Sequence, residues 1–244
     1  MPEKGLKYFD RLEILTSDEI VRIVRIACKY GVRKVRLTGG EPLLREDIIQ
    51  LISGIKSTGI KDLSITTNGQ RLAGMAKVLK SAGLDRVNIS LDTLDAERYR
   101  DITRGGYIHR VWEAVAEAEK AGLSPVKINM VPVRGINDDE VARFAALTLY
   151  KDVHIRFIEY MPIGNRENWK PYAYLSKDEI MERVASTGKL VKLPFKGGGP
   201  SRNYRIEGAQ GRIGFISPIS DCFCGSCNRL RLTAIGKAMT MEQR

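Results

Sequence analysis

Between residues 17 and 161 the chain switches repeatedly between helix-like and strand-like periodicity, and that alternation limits the folds open to it. Ser17-Asp18-Glu19 reads as a helix start, with Ile20, Ile23, Val24 and Ala27 on one face. Lys34 to Thr38 is a short strand ended by Gly39-Gly40. A second helix covers roughly 45–57, and Leu63 to Thr67 is a strand stopped by Asn68-Gly69. A third helix runs through Lys77 and Leu79 to Gly83, and Arg86 to Asp92 is the third strand. One longer helix follows, ending near Ala121-Gly122. Val126 to Val133 is a fourth strand, Asn137-Asp138-Asp139 caps a fifth helix, and His154 to Met161 is a fifth strand. Strands joined through helices run parallel and cross over with one hand. The architectures left are an α/β barrel, whole or partial, and an open doubly wound sheet.

Polar residues and glycines gather at the C-terminal ends of these strands: Thr38-Gly39-Gly40-Glu41, Thr67-Asn68-Gly69, Ser90-Leu91-Asp92 and Glu159-Tyr160-Met161. Several strand ends sharing one mouth point to a barrel site, whereas an open sheet gathers its ligand at one switch point. After about residue 165 the pattern changes. A helix from Ser176 to Val184 and the turn Gly197-Gly198-Gly199-Pro200 precede short strand-like runs at Asn203 to Glu207, Arg212 to Ser217 and Leu230 to Thr233. The expected division is a barrel over 1–165 and a β-rich appendage over 166–244.

Composition narrows the function. With 43% hydrophobic residues the chain can bury a core, and no apolar run reaches membrane-spanning length. The start lacks a signal-peptide pattern. Four cysteines, three of them crowded into residues 222–227, do not form a disulfide framework, so a reducing, cytoplasmic compartment is expected. A net charge of +11 favours anionic partners. Lys and Arg are scattered and aromatics are only 7%, which argues against a nucleic-acid platform.

The segment Phe223 to Leu232 carries the most specific chemistry. Cys224-x-x-Cys227 has the spacing of a zinc or iron–sulfur ligand pair, with Cys222 as a candidate third ligand. Arg229 and Arg231 follow on alternate residues, so a strand there puts both guanidinium groups on one face, as anion binding needs. Gly39-Gly40-Glu41-Pro42 lets backbone approach a ligand and offers Glu41 to an ammonium group. Arg36, Lys127 and Arg156 lie within strands; an inward cation there needs an anion, and an outward one does not. Asp92 and Glu159 are candidate acid–base groups, with pairing to those cations the favoured role. His109, His154 and Cys28 read as structural. No Walker-type or dinucleotide glycine fingerprint is present.

In order along the chain, Leu37 to Leu43, Thr66 to Gly69, Asn88 to Asp92, Arg156 to Met161 and Phe223 to Leu232 resemble the GTP 3′,8-cyclases of molybdenum cofactor biosynthesis, a radical S-adenosylmethionine (SAM) family. The resemblance covers almost the whole chain. It implies a partial (β/α) barrel of the radical SAM type, its first strand absent here, with a β-rich C-terminal appendage. It implies two [4Fe–4S] clusters and SAM as cofactors, and a radical that takes hydrogen from C3′ of GTP before the carbon attacks C8. By motif, Gly40, Glu41, Ser90 and Met161 would contact SAM, and Arg36, Thr67, Lys127, Arg229 and Arg231 would contact GTP. Cys224 and Cys227 would ligate the second cluster. Implied partners are an electron donor and the cyclic pyranopterin monophosphate synthase that takes the product, with a homodimer also compatible.

The match also has gaps. The family's Cys-x-x-x-Cys-x-x-Cys motif falls ahead of Met1-Pro2-Glu3, and the third ligand of the second cluster aligns with Met241. The turn read in the family as Asp-Gly-Lys is Ile235-Gly236-Lys237. The expectation is an internal fragment that does not cleave SAM and that self-associates through an exposed sheet edge. Two further readings remain open: a non-catalytic nucleotide-binding relative, and a zinc-stabilised scaffold.

Overall fold

A computed structural model describes residues 13–161, 170–194, 199–221 and 228–240. The chain forms two compact units: residues 1–90 with 96–126 and 232–237, and residues 91–95 with 127–231 and 238–244.

The first unit begins with α1 (Ser17–Lys29), β1 (Lys34–Leu37), α2 (Ile48–Ser57), β2 (Asp62–Thr67), α3 (Leu72–Ser81) and β3 (Arg86–Ser90), followed by α4 (Ala96–Thr103) and α5 (Ile108–Lys120). The cap of α1 is Thr16, one residue before the expected start: its hydroxyl accepts from Glu19 N, and the Glu19 carboxylate accepts from Thr16 N. β1 runs parallel to β2, and β2 parallel to β3. Leu63, Ile65, Val87 and Ile89 on these strands are fully buried, as are Ile52 and Ile55 of α2 and Leu72 and Leu79 of α3. Burying such a side chain stabilises by about 1.5–3 kcal/mol, so β2 and β3 anchor this core. β1 is different: Lys34 and Arg36 are exposed and Val35 and Leu37 only half-buried. Late in the chain, Ala234 O accepts a 2.8 Å hydrogen bond from Leu15 N.

The expected single helix before Gly122 is two helices, α4 and α5. Arg104 (φ 59°) and Gly105 (φ 108°) take left-handed backbone, which ends α4 in the manner of a C-terminal cap. Thr103 Oγ1 accepts from Gly106 N and fixes the break.

The second unit holds β4 (Lys127–Met130), α6 (Val141–Tyr150), β5 (His154–Ile158), α7 (Lys177–Ala185), β6 (Leu190–Lys192), β7 (Arg202–Ile206), β8 (Arg212–Ile216), β9 (Leu230–Leu232) and β10 (Ala238–Thr240). β4, β5 and β8 are parallel; β7 runs antiparallel to both β8 and β6. Ile128, Ile155, Phe157, Ile213 and Phe215 fill the interior, with the Phe157 and Phe215 rings 5.9 Å apart and Tyr204 edge-on to Phe215 at 5.4 Å. A Ser176–Glu179 capping box starts α7. Asn137 does not cap α6, because its side chain has longer-range partners: Nδ2 donates to Asp92 O (2.7 Å) and Val131 O (3.0 Å), and Oδ1 accepts from Val133 N (2.7 Å). No helix among the described residues is long and apolar enough to cross a membrane.

Candidate active site

In the first unit the candidate residues sit on parallel strands and the loops that leave their C-terminal ends. Arg36 lies mid-β1 and is exposed. Gly39 has φ 149°, and Gly40 has nothing within 4 Å of a would-be Cβ, so both leave room for a ligand. Glu41 caps a short 3-10 turn (Pro42–Leu44). Its Oε1 accepts from Leu43 N (3.1 Å) and Thr67 Oγ1 (2.8 Å), and its Oε2 from Asn68 N (2.8 Å). One carboxylate therefore ties the loop after β1 to the loop after β2. Thr67, 2% exposed, also accepts from Gly69 N at 3.1 Å. Ser90 closes β3 and is exposed. The structure brings Glu41 and Thr67 into direct contact, which the sequence reading kept apart.

Replacing Glu41 by alanine is expected to leave three donors without their acceptor. A loss of about 2 kcal/mol in urea unfolding, with faster amide exchange at Leu43 and Asn68, is the expected result.

In the second unit Lys127 opens β4 half-buried, in register with His154, and the Arg156 side chain on β5 is buried. The His154 imidazole is pushed down to about 3, first by burial and then by the charges of Arg156, Lys127 and Arg212. Burial pushes the Asp92 carboxyl up, against the lowering effect of a hydrogen bond from Val131 N. Thr93 Oγ1 and Leu94 N donate to the fully buried Glu140 carboxylate, at 2.5 and 2.7 Å. Met161 follows β5 and is half-buried. Arg229 stands one residue ahead of β9, half-buried, and Arg231 lies within it, exposed. Cys222, Cys224 and Cys227 lie outside the described residues.

Glu159 does not pair with the strand cations as expected. It is 2% exposed and accepts from Lys177 N (2.8 Å), Tyr174 OH (3.1 Å), Ile219 N (2.9 Å), Ser220 N (3.0 Å) and Ser220 Oγ. Backbone donors from distant sequence fill the role expected of an arginine or lysine, and no local signal announces them.

Residues 2–148 match the radical SAM superfamily, and residues 153–240 match the family described as Molybdenum Cofactor Synthesis C. Solved radical SAM folds agree. Methylornithine synthase superposes with a TM-score of 0.56 at 20% identity, over 71% of this chain and 53% of that one. Coproporphyrinogen III oxidase from Escherichia coli gives 0.52 at 12% identity, over 97% and 57%. Strands, loops and matches thus define an α/β protein of the radical SAM class, a partial TIM-like barrel with a β-rich C-terminal part. The curated GTP 3′,8-cyclase of Listeria monocytogenes serotype 4b (strain CLIP80459) is 49% identical over 240 residues, 97% of this chain and 72% of the relative. That of Heliobacterium modesticaldum (strain ATCC 51547 / Ice1) is 50% identical, covering 97% and 73%. The chain belongs to the GTP 3′,8-cyclase family.

That class implies a [4Fe–4S] cluster and SAM. The chain has four cysteines. Cys28 lies on α1, with Sγ 3.6 Å from Thr58 Oγ1. The other three share one short segment, fewer than the about four thiolates that each such cluster takes. The donor set does not fit two clusters. Among the described residues no three His, Cys, Asp or Glu side chains gather as a metal site.

Proposed function

We propose that the chain binds GTP as substrate within the 3′,8-cyclisation to 3′,8-cyclo-7,8-dihydro-GTP, a lyase reaction of molybdenum cofactor biosynthesis in the cytoplasm. The 49% identity to curated GTP 3′,8-cyclases over nearly the whole chain carries this reading. Arg36, Lys127, Arg229 and Arg231 offer cationic groups to the triphosphate and guanine ends, and Thr67 offers a hydroxyl already fixed by Glu41. The open Gly39-Gly40 backbone, with Ser90 and Met161, is assigned to SAM. Glu41 keeps a role there through the loop it braces. Cys224 and Cys227 would hold one cluster, which when bound would supply an iron able to accept a ligand atom from the guanine end of the substrate. An electron donor and a synthase that consumes the product complete the proposed partners.

The thiolate count favours a second statement. Taken alone, this 244-residue chain binds GTP without cleaving SAM, because its donors do not fit the two clusters the reaction is expected to use.

Calorimetry of the purified chain with GTP and magnesium tests the binding. Micromolar affinity is expected, with Arg36→Ala and Lys127→Ala each weakening it about tenfold through loss of one charge-assisted contact. Affinity no better than millimolar, or variants equal to wild type, would remove the proposal.

A further inference from the structure

The two faces of the β1–β2–β3 sheet in the first unit differ in chemistry. Alternation and register put Val35, Leu63, Ile65, Val87 and Ile89 on one face, and the last four are fully buried. The opposite face carries Lys34, Arg36, Asp62, Ser64, Arg86 and Asn88. Arg36, Ser64 and Arg86 stand in one row across the three strands. Parallel strands ordinarily carry apolar side chains on both faces. Here Lys34, Arg36 and Arg86 share a face with Asp62, the one carboxylate on these strands. A face so weighted toward cations suits an anion.

Within that row Arg86 has a particular geometry. Its Nε and Nη2 donate to Asp62 Oδ1 and Oδ2 at 2.8 and 2.6 Å, which fixes the guanidinium plane. The arginine side chain is 15% exposed. Its Nη1 is buried and has no hydrogen-bond partner among the described residues. A guanidinium keeps its charge and all five N–H groups, so Nη1 calls for an acceptor that these strands do not supply.

We propose that Arg86 is a further substrate-binding residue: from Nη1 it donates to the phosphate chain of GTP beside Arg36, and so helps select a nucleoside triphosphate over a monophosphate. The proposal rests on the reading of GTP as substrate. Asp62 offsets much of the Arg86 charge, so the contribution is a directed hydrogen bond held in a fixed plane. A residue that only fastened β2 to β3 would leave the preference between the two nucleotides unchanged.

Calorimetry of the purified chain with magnesium, against GTP in one series and GMP in the other, is the test. Wild type is expected to bind GTP at least about tenfold more tightly than GMP. Arg86→Lys keeps the charge and a partner for Asp62 but loses the rigid fork. It is expected to weaken GTP about tenfold and GMP by less than about twofold. If Arg86→Lys does not fold, the double variant Asp62→Asn/Arg86→Gln exchanges the ion pair for a neutral amide pair and leaves no charge of the pair buried alone. The same selective loss is expected of it. GTP affinity unchanged in a folded variant, as when Nη1 serves only a water, overturns the proposal, and so does an equal loss for GTP and GMP. Equal wild-type affinities for the two nucleotides overturn it too and leave GTP binding itself standing. No binding of GTP by wild type removes the substrate reading and this proposal with it.

Discussion

Lowering the pH from 6.5 to 5 is expected to cost the protein about 2 kcal/mol of stability through His154 alone, on the order of 1.4 kcal/mol per pH unit. The imidazole is pushed down to about 3 by burial and by Arg156, Lys127 and Arg212. Its unfolded counterpart titrates near the ordinary value of 6.5. Between those two values the unfolded chain binds the extra proton, so acid favours unfolding. The contribution is complete above pH 6.5 and drains away as the pH falls toward 3. Most carboxylates remain ionised between pH 6.5 and 5; Asp92, whose carboxyl burial pushes up, acts in the opposite direction, so the comparison with a His154 variant is what isolates the histidine. Urea titrations at pH 7, 6 and 5 read it directly: wild type loses stability across the series, and His154→Gln is expected to be nearly flat. A wild-type midpoint that does not move between pH 7 and 5 contradicts the account.

The second large effect concerns space. A Cβ on Gly211 would lie 2.3 Å from Val153 O and 2.7 Å from Lys151 O. Both obstacles are backbone carbonyls at the entry to β5, and neither can swing aside. Gly211 N also donates to Thr148 O at 2.8 Å, which holds the turn in place. Gly211→Ala is therefore expected to cost about 3 kcal/mol, at the upper end for overpacking. Gly208, three residues earlier, gives the contrast. Its φ is 78° and the space around it is open, so Gly208→Ala meets only backbone strain and is expected to cost about 1 kcal/mol. Thermal unfolding of the two variants side by side separates steric from conformational cost. Equal losses would refute the distinction.

Two strands of the barrel pattern were legible by their stops, Gly39-Gly40 after β1 and Asn68-Gly69 after β2. The short strands β6 and β10 escaped notice because three residues carry too little periodicity to register. The break between α4 and α5 did carry a signal, Gly105-Gly106, masked by helical patterning on both sides. Asn137 and Glu159 show a different limit. Their residue types suggested a cap and an acid–base group, but their partners come from residues 92, 131 and 133, and from 174 to 220. Such pairings depend on tertiary proximity, which local pattern does not encode. The loops bearing Gly40, Glu41 and Thr67 were identified by motif. Their joining through one carboxylate was visible only in three dimensions.

The hydrogen bond from Leu15 N to Ala234 O has a consequence during synthesis. The first unit includes residues 232–237, so its last pieces leave the ribosome long after Leu15 has been made. At about 5–20 residues per second, Leu15 waits roughly 10 to 45 s for its partner. Throughout that interval the helices and strands of the first unit must hold together without it. A nascent chain stalled before residue 232 would thus present an incomplete first unit to chaperones and proteases, however well its β2–β3 core has already packed.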